Sequence, residues 1–326
     1  LPQAGFQGKG PVQEVMSAPV VSVLMPMKNA AKTVGAALDS LSRQDLEQHE
    51  VIVVDDGSSD DTVQIARAAG AEVLETGRGG NPAAARNRGA AEASGDPLVF
   101  LDADCKVTQG WLDAIVAAHD QGHSIVAGAI GLPPGLSVTA RCDYYCGWYL
   151  AHPRRPAGYV PHAPAPHVSV RREPFMRSSR FEELPYAIAS EERLWQAELR
   201  EQGHRIYFEP AAVALHHNRP GLGNLLRRSY RWGYGSIESK NRTGAARFKW
   251  IYRYPRLLIL FGVPLAFAHT GFILFCWLRV GVLEPLAMSP LVLAARLVYS
   301  IGMMRGGLEW LRRGPTTGDT SHVQES

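Results

Sequence analysis

The stretch Val51–Thr62 reads VIVVDDGSSDDT: four apolar residues in a row run straight into two aspartates, a glycine and a serine pair. A strand that is apolar on both sides is covered on both, the habit of parallel sheets wrapped by helices, and the Gly-Ser turn stops it. Downstream, Leu98–Asp104 (LVFLDAD) repeats the pattern of a buried strand ending in carboxylates. Upstream, Val20–Met25 (VVSVLM) is a third such run, closed by Pro26. Thr33–Ser42, Asp61–Ala69 and Ala83–Ala93 carry helical spacing, and Glu72–Leu74 reads as a short strand. The pattern predicts an α/β fold, a mostly parallel sheet sandwiched by helices. Ligands of such sheets sit beyond the carboxyl ends of the strands, so both acidic clusters are expected to share one crevice.

Beyond Ile130 the rhythm breaks. Leu132–Pro166 is rich in Pro, His and aromatic residues and reads as a long irregular region of the kind that shapes a pocket. Regular structure returns with strands at His167–Val170, Arg205–Phe208 and Ala211–Leu215, and a helix over Ser190–Glu201. The 326 residues hold 34 basic and 31 acidic side chains, a net +3, too weak a bias for nucleic acid to be the partner. Four cysteines (Cys105, Cys142, Cys146, Cys276) make no disulfide framework and are expected as reduced thiols. Residues 1–18 lack the charged and apolar regions of a signal peptide and are expected to be a disordered leader.

The tail changes character. Leu257–Leu278 is 22 residues long with His269 as its one titratable member, apart from Cys276, long enough to cross a bilayer. Val280–Met304 is a second candidate, interrupted by Glu284, Pro285 and Arg296. Just before the pair, RFKWIYRYPR (Arg247–Arg256) mixes cations with aromatic rings, a composition suited to the headgroup layer. The competing expectation is a buried helical pair of a soluble domain. The division expected is a domain over 19–220, basic interface helices over 221–256, a membrane hairpin over 257–305 and a tail over 306–326. Cations flank both ends of the hairpin (Arg305, Arg312 and Arg313 follow it), which puts the domain on the cytoplasmic side.

Asp102 and Asp104, at i and i+2 past a strand end, both reach one hard cation through a turn, and Mg²⁺ or Mn²⁺ held by one or two carboxylates and substrate phosphates is the usual device of nucleotide chemistry. The run Ala85-Arg86-Asn87-Arg88-Gly89 sets cations on a helix facing the same crevice. Ser58, Ser59 or Asp60 suits a helix N-cap, a duty that needs neither Asp55 nor Asp56. Cys142 and Cys146 with His152, His162 and His167 invite a zinc site, but their spacing fits no common one.

Taken in order, VSVLMPMKNAAKTVGAALDSLSRQ, EVIVVDDGSSDDT, AAARNRGAAEASGDPLVFLDADC and FEELPYAIASEERLWQAELREQGHRIYFEPAAVALHH resemble the family 2 inverting glycosyltransferases of GT-A (Rossmann-like) fold, over roughly Val20–His217. The resemblance implies a nucleotide-sugar donor. Pro26, Lys28 and Asn29 would line the nucleotide pocket, Asp56 would accept from the base, matching N3–H of uracil, and Arg86 would touch the diphosphate or ribose. Asp102 would hold the ribose or assist the metal, Asp104 would ligate it, and His216, ahead of His217, would reach the metal or diphosphate. The base that takes the acceptor's proton would come from the pair opening a helix, Glu192 first and Glu191 second. Arg228, Arg231 and Trp232 partly resemble the acceptor-gripping motif of processive members, although one hairpin cannot build their channel, so addition of a single sugar is expected. The acceptor expected beside a bilayer is a lipid or a polyprenyl-linked group. Nucleotidyl transfer on the same kind of sheet, or a non-catalytic membrane adaptor, are the rival functions.

Overall fold

The apolar runs do form strands, and burial on both faces is what holds them. The computed structural model describes residues 20–46, 48–77, 81–183, 191–243 and 254–313. The expected leader and the run Arg247–Arg253 lie outside these residues. The strands are β1 (Val21–Met27), β2 (His49–Asp55), β3 (Val73–Glu75), β4 (Leu98–Leu101), β5 (Cys105–Val107), β6 (Ile125–Gly131), β7 (Gly158–Val160), β8 (His167–Val170) and β9 (Ile206–His216). They form one sheet in the order β3-β2-β1-β4-β8-β6-β9-β5, with β7 paired to β9. β1, β2, β3 and β4 are parallel. β8 runs antiparallel to both β4 and β6, so β6 and its parallel partner β9 point the same way as β1, β2 and β4. The carboxyl ends of β1, β2, β4 and β9 therefore share one edge.

Helices cover both faces. α1 (Val34–Ser42), α2 (Thr62–Ala68) and α4 (Trp111–Asp120) lie on one side; α3 (Pro82–Glu92), α5 (Val138–Gly147), α6 (Arg172–Arg177) and α7 (Glu191–Glu201) lie on the other. α3 starts cleanly because Pro82 suits its first turn and the Asn81 side chain accepts from the Ala83 and Ala84 amides. Its small residues Ala83, Ala90 and Gly89 let the helix press close on the sheet.

Three expectations change. Pro26 does not stop β1 but lies within it, opposite Val54. Met27 O accepts from Asp56 N on the β2 side, and Ser22 N donates to Pro97 O on the β4 side, so even-numbered residues of β1 face β4. The β4 ladder ends at Leu24↔Phe100, so the missing amide of Pro26 removes no ladder bond. The two late strands are one, β9, with a register shift opposite Gly128/Ala129 near Pro210. The region 132–166 contains α5, whose Ser137 N-cap accepts from Ala140 N and whose Cys142, Tyr144, Tyr145 and Cys146 are all buried. Packing on nearly every side hides the one-faced periodicity by which a helix is read.

Past β9 the chain forms α8 (Leu222–Thr243), α9 (Pro255–Arg279), the short α10 (Glu284–Ala287) and α11 (Ser289–Arg313). α9 and α11 are each long and apolar enough to cross a membrane by length and composition. Ile273 and Trp277 of α9 and Val292 and Ala295 of α11 belong to the main core. Trp277 Nε1 donates to Tyr145 O at 3.0 Å, and Arg141 and Tyr145 both bond Glu284.

Phe100 of β4 meets Phe175, Phe181 and Trp195 with ring centroids 5.2, 4.9 and 6.4 Å away. That cluster fastens α7 to the strand that ends at Asp102. Phe100→Ala is expected to cost about 3–5 kcal/mol of unfolding free energy, measured by chemical denaturation; a loss below about 1 kcal/mol would contradict this account of how α7 is held.

Candidate active site

Asp55 and Asp56 end the same strand and do different work. Asp55 Oδ2 accepts from the amides of Gly57 and Ser58 at 3.0 Å, and its other oxygen accepts from Ser58 Oγ. Gly57, at φ 78°, supplies the left-handed residue that this turn requires. Asp55 thus builds the loop and leaves Asp56 turned to the strand ends. Asp56 is buried, accepts from Thr76 Oγ1 at 3.2 Å and has Lys28 Nζ 4.0 Å away. Asn29 joins the two loops: its Oδ1 accepts from Ser59 N at 2.8 Å and its amide donates to Ser58 Oγ at 2.9 Å. Pro26, Lys28, Asn29 and Asp56 consequently form one wall.

Arg86 forms the centre. Its guanidinium is 4% exposed, with one terminal nitrogen donating to Asp102 Oδ1 at 2.9 Å and the other to Glu191 Oε1 at 2.8 Å. Burial alone would lower its pKa, but the charges of Asp102 and Glu191 outweigh burial and hold it above the ordinary arginine value. Where the resemblance implied a contact with the donor, the structure shows Arg86 contacting two carboxylates. One side chain thereby ties α3, the end of β4 and the first turn of α7.

Glu192 faces a different partner. His162 Nε2 lies 3.1 Å from its Oε1, and Arg193 Nε is 3.9 Å away. Burial pushes the Glu192 carboxyl upward, yet the His162 hydrogen bond, the His162 ring and Arg193 together bring it below the usual range. Burial and Arg193 hold His162 itself below the ordinary imidazole value. At neutral pH the pair is a carboxylate accepting from a neutral imidazole.

On the far side of Asp102, Cys105 pairs with His216 across β5 and β9. Ligand atoms of Asp104, Cys105 and His216 lie within 4.8 Å of one another, the one such group of His, Cys, Asp or Glu among the described residues. His216 Nε2 stands 3.6 Å from Asp104 Oδ1, too far for a good hydrogen bond and suited to two ligands sharing an ion. A carboxylate beside an imidazole is a donor set that a divalent cation such as Mg²⁺ or Mn²⁺ fits. Burial, with the charges of Asp104 and Asp102 alongside, pushes the Cys105 thiol well above its ordinary value.

The tautomer of His216 follows from its neighbours. Asn218 Nδ2 donates to Asp143 Oδ2 at 2.6 Å, which turns Asn218 Oδ1 toward His216 Nδ1 at 3.0 Å. Nδ1 must then carry the proton, and Nε2 keeps its lone pair on the Asp104 side. Arg228 also donates to Asp143, and its guanidinium lies 4.2 Å from the Trp232 ring. Arg228 and Trp232 thus face inward, beside Trp148, which packs on His216 with centroids 5.3 Å apart. Arg231, on the same helix, is exposed.

The zinc grouping does not assemble. His167 Nε2 accepts from Trp111 Nε1 at 2.7 Å and its Nδ1 donates to Ala129 O, leaving no lone pair. His152 accepts from Arg154 N and packs on Trp277, and His162 serves Glu192. Asp143, Asn218 and the His162–Glu192 pairing were missed from the sequence. An aspartate inside CDYYC, flanked by residues that belong in a core, was the available signal of a partnered buried carboxylate.

Residues 22–176 match the model of glycosyl transferase family 2. Glycosyltransferase AglE of Haloferax volcanii is 28% identical over 230 residues, 68% of this chain and 74% of that protein. The pre-mycofactocin glycosyltransferase of Mycobacterium tuberculosis is 30% identical over 225 residues, 65% of this chain; the chain spans 46% of that relative's length. Among solved structures, the mannosyltransferase PcManGT of Pyrobaculum calidifontis, in complex with GDP-Man and Mn²⁺, superposes with a TM-score of 0.61 at 19% identity, covering 90% of this chain and 88% of that one. That likeness establishes a shared GT-A-type fold.

Removing the central cation strands two carboxylates. Arg86→Met is expected to lower the unfolding free energy by about 3–5 kcal/mol, the cost of breaking a buried pair from one side. Denaturant titration at neutral pH measures it, and a variant as stable as the parent would show that Arg86 does not hold the site together.

Proposed function

The chain is a member of glycosyl transferase family 2, and from that premise we propose that it transfers one sugar, with inversion, from a nucleotide-diphosphate sugar to a membrane-associated acceptor that is lipid or polyprenyl-linked. The supporting observation is that the Asp104–His216 pair lies at the same sheet edge as Asp56, Asp102 and Glu192. A UDP-sugar is the favoured donor, Pro26, Lys28 and Asn29 forming the nucleoside wall and Asp56 accepting from the base. Asp104 and His216 hold Mg²⁺ or Mn²⁺, with Asp102 assisting. When bound, the ion stabilises the negative charge of the departing diphosphate.

Glu192 is the base and Glu191 the second candidate. Glu191 is bonded directly by a guanidinium at 2.8 Å, whereas Glu192 accepts from the His162 imidazole and has its nearest guanidinium, that of Arg193, at 3.9 Å. In the transfer, the acceptor hydroxyl gives its proton to the Glu192 carboxylate as its oxygen bonds the anomeric carbon. The bond from that carbon to the diphosphate oxygen breaks, and the nucleoside diphosphate leaves with the electron pair. Arg228 and Trp232, half-buried beside Trp148, are the side chains proposed to grip the acceptor sugar. The apolar helices α9 and α11 support a membrane-associated acceptor, and the cations flanking them suit the anionic cytoplasmic leaflet, which supports a catalytic domain on that side.

The purified chain, given Mn²⁺ and a panel of UDP- and GDP-sugars, is expected to release nucleoside diphosphate. Glu192→Gln should reduce kcat by about 10²–10⁴ with donor affinity retained, and Asp104→Ala should abolish the metal-dependent rate. Pyrophosphate as product would indicate nucleotidyl transfer, and undiminished turnover by both variants would refute the assignment.

The pH profile tests the His162 contact. A base works when deprotonated, so kcat/KM falls as pH drops through the Glu192 pKa, which lies below the ordinary carboxylate range. In His162→Ala the effect of burial is less opposed, and the acidic limb is expected to move to higher pH. An unmoved limb would mean that another group sets it.

A further inference from the structure

The two tail helices present their side chains the wrong way round for a soluble core. On α9 the face turned inward is lined by small or polar residues: Gly262, Ala266 and Thr270 are buried, followed by Ile273 and Trp277. On its outward face Leu260 is 69% exposed, Phe267 57%, Phe275 54% and Phe272 48%, with Val263 and Leu278 beside them. On α11, Arg296 and Ser300 are buried together with Val292, Ala295 and Met303, while Ile301 and Leu311 are half exposed. Small residues inside and large apolar residues outside is the arrangement of helices surrounded by hydrocarbon.

Yet the pair does not run away from the catalytic domain. α11 lies against α8 with backbones in contact: a Cβ added at Gly233 would meet Tyr299 O at 1.9 Å, and one at Gly302 would meet Tyr230 O at 2.1 Å. Tyr234 OH bonds Glu309 at the same seam. α8 in turn is tied to the domain by Arg228 on Asp143 and by Arg242 on Glu182. The two ends of α9 are both anchored, Leu258 against Ile237 and Met303, and Trp277 against Tyr145. A helix touching the rest of the protein at both ends cannot carry one of them to the far side of a bilayer.

We propose that α9 lies in the plane of the membrane surface, its outward row Leu260–Phe267–Phe275 sunk in the acyl region of an anionic bilayer, and that the pair does not cross it. The proposal rests on the membrane-associated reading above and supplies its geometry. Charge selects this occupant over a second copy of the chain. Between Glu238 and Glu284 the sequence contains seven Lys or Arg (Lys240, Arg242, Arg247, Lys249, Arg253, Arg256, Arg279) and no Asp or Glu. Anionic headgroups complement so basic a stretch of sequence, which a second copy of the chain would carry with the same sign.

Spin labels on the full chain at Leu260→Cys, Phe267→Cys or Phe275→Cys, one at a time, test the orientation in vesicles of three parts phosphatidylcholine to one part phosphatidylglycerol. Collision with oxygen and with a water-soluble nickel chelate reads the depth of each label. Leu260 and Phe275 are 15 residues apart, so a crossing helix would separate their depths by about 22 Å, at about 1.5 Å per residue. The expected result is one shallow depth for all three, and loss of vesicle flotation by at least about tenfold in Phe267→Asp/Phe275→Asp. Graded depths, no flotation of the parent chain, or a dimer that shields the labels would each overturn the proposal. Donor hydrolysis with Mn²⁺ is measured on the same samples. Its absence beside uniform depth would sink the catalytic assignment and leave the in-plane surface standing.

Discussion

A guanidinium with almost no solvent around it binds two carboxylates from distant parts of the chain, and most of the site depends on that contact. Taking three charges out of water costs several kcal/mol for each ion before they attract one another. Arg86 offsets part of that cost through two direct bonds, to Asp102 and to Glu191. The ring of Phe181 lies over its guanidinium, with the centroid 5.6 Å away. The neighbouring residue strengthens the same junction: Asn87 donates to Phe181 O and accepts from Phe181 N. Packing of Phe100, Phe175, Phe181 and Trp195 then makes the junction rigid, so acidic groups from β4 and α7 are held at fixed distance before any ligand arrives. That is the structural form of preorganisation, in which repulsion between carboxylates is settled during folding and not during catalysis.

Direction of the strands does the rest. β8 enters between β4 and β6 antiparallel to both, which returns β6 and β9 to the direction of β1, β2 and β4. His216 thereby arrives at the same edge as Asp56 and Asp102, although its strand is separated from β4 by two others. The register of β5 on β9 puts Cys105 opposite His216 and hence Asp104 next to it. A slip of one residue in that short ladder would turn His216 to the other face of the sheet and dissolve the pair.

What could be read beforehand follows from which forces are local. The runs VVSVLM, VIVV and LVFL declare buried strands because their burial is complete, and the acidic turns declare themselves because carboxylates past a buried strand need an explanation. β8's direction was not legible, since a strand's local pattern is the same whichever way it runs. α5 was not legible either, because Tyr144, Tyr145 and Cys146 are packed by tertiary contacts on several sides and leave no amphipathic stripe. Pro26 was read as a stop, and only the early end of the β4 ladder explains why a strand passes through it. At the site, Asp102, Asp104, Glu191 and Glu192 were visible as pairs. The partners that set the states of Glu192 and His216, namely His162, Asn218 and Asp143, come from loops and helices whose approach no local pattern records.

One helix joins these two stories. On its inner side α8 offers Arg228 to Asp143, the carboxylate that turns Asn218 and so fixes which nitrogen of His216 faces Asp104. One turn further along, Gly233 gives α11 its backbone contact, and Tyr234 reaches Glu309. Trp232, between those points, packs against Gly147 and Trp148, with Trp148 resting on His216. The glycine that admits α11 and the arginine that orients the histidine are five residues apart on a single rigid element. The contacts behind His216 and the seam with α11 therefore share one close-packed element. The layer that bears the apolar face is thus mechanically continuous with the residues that would hold the metal.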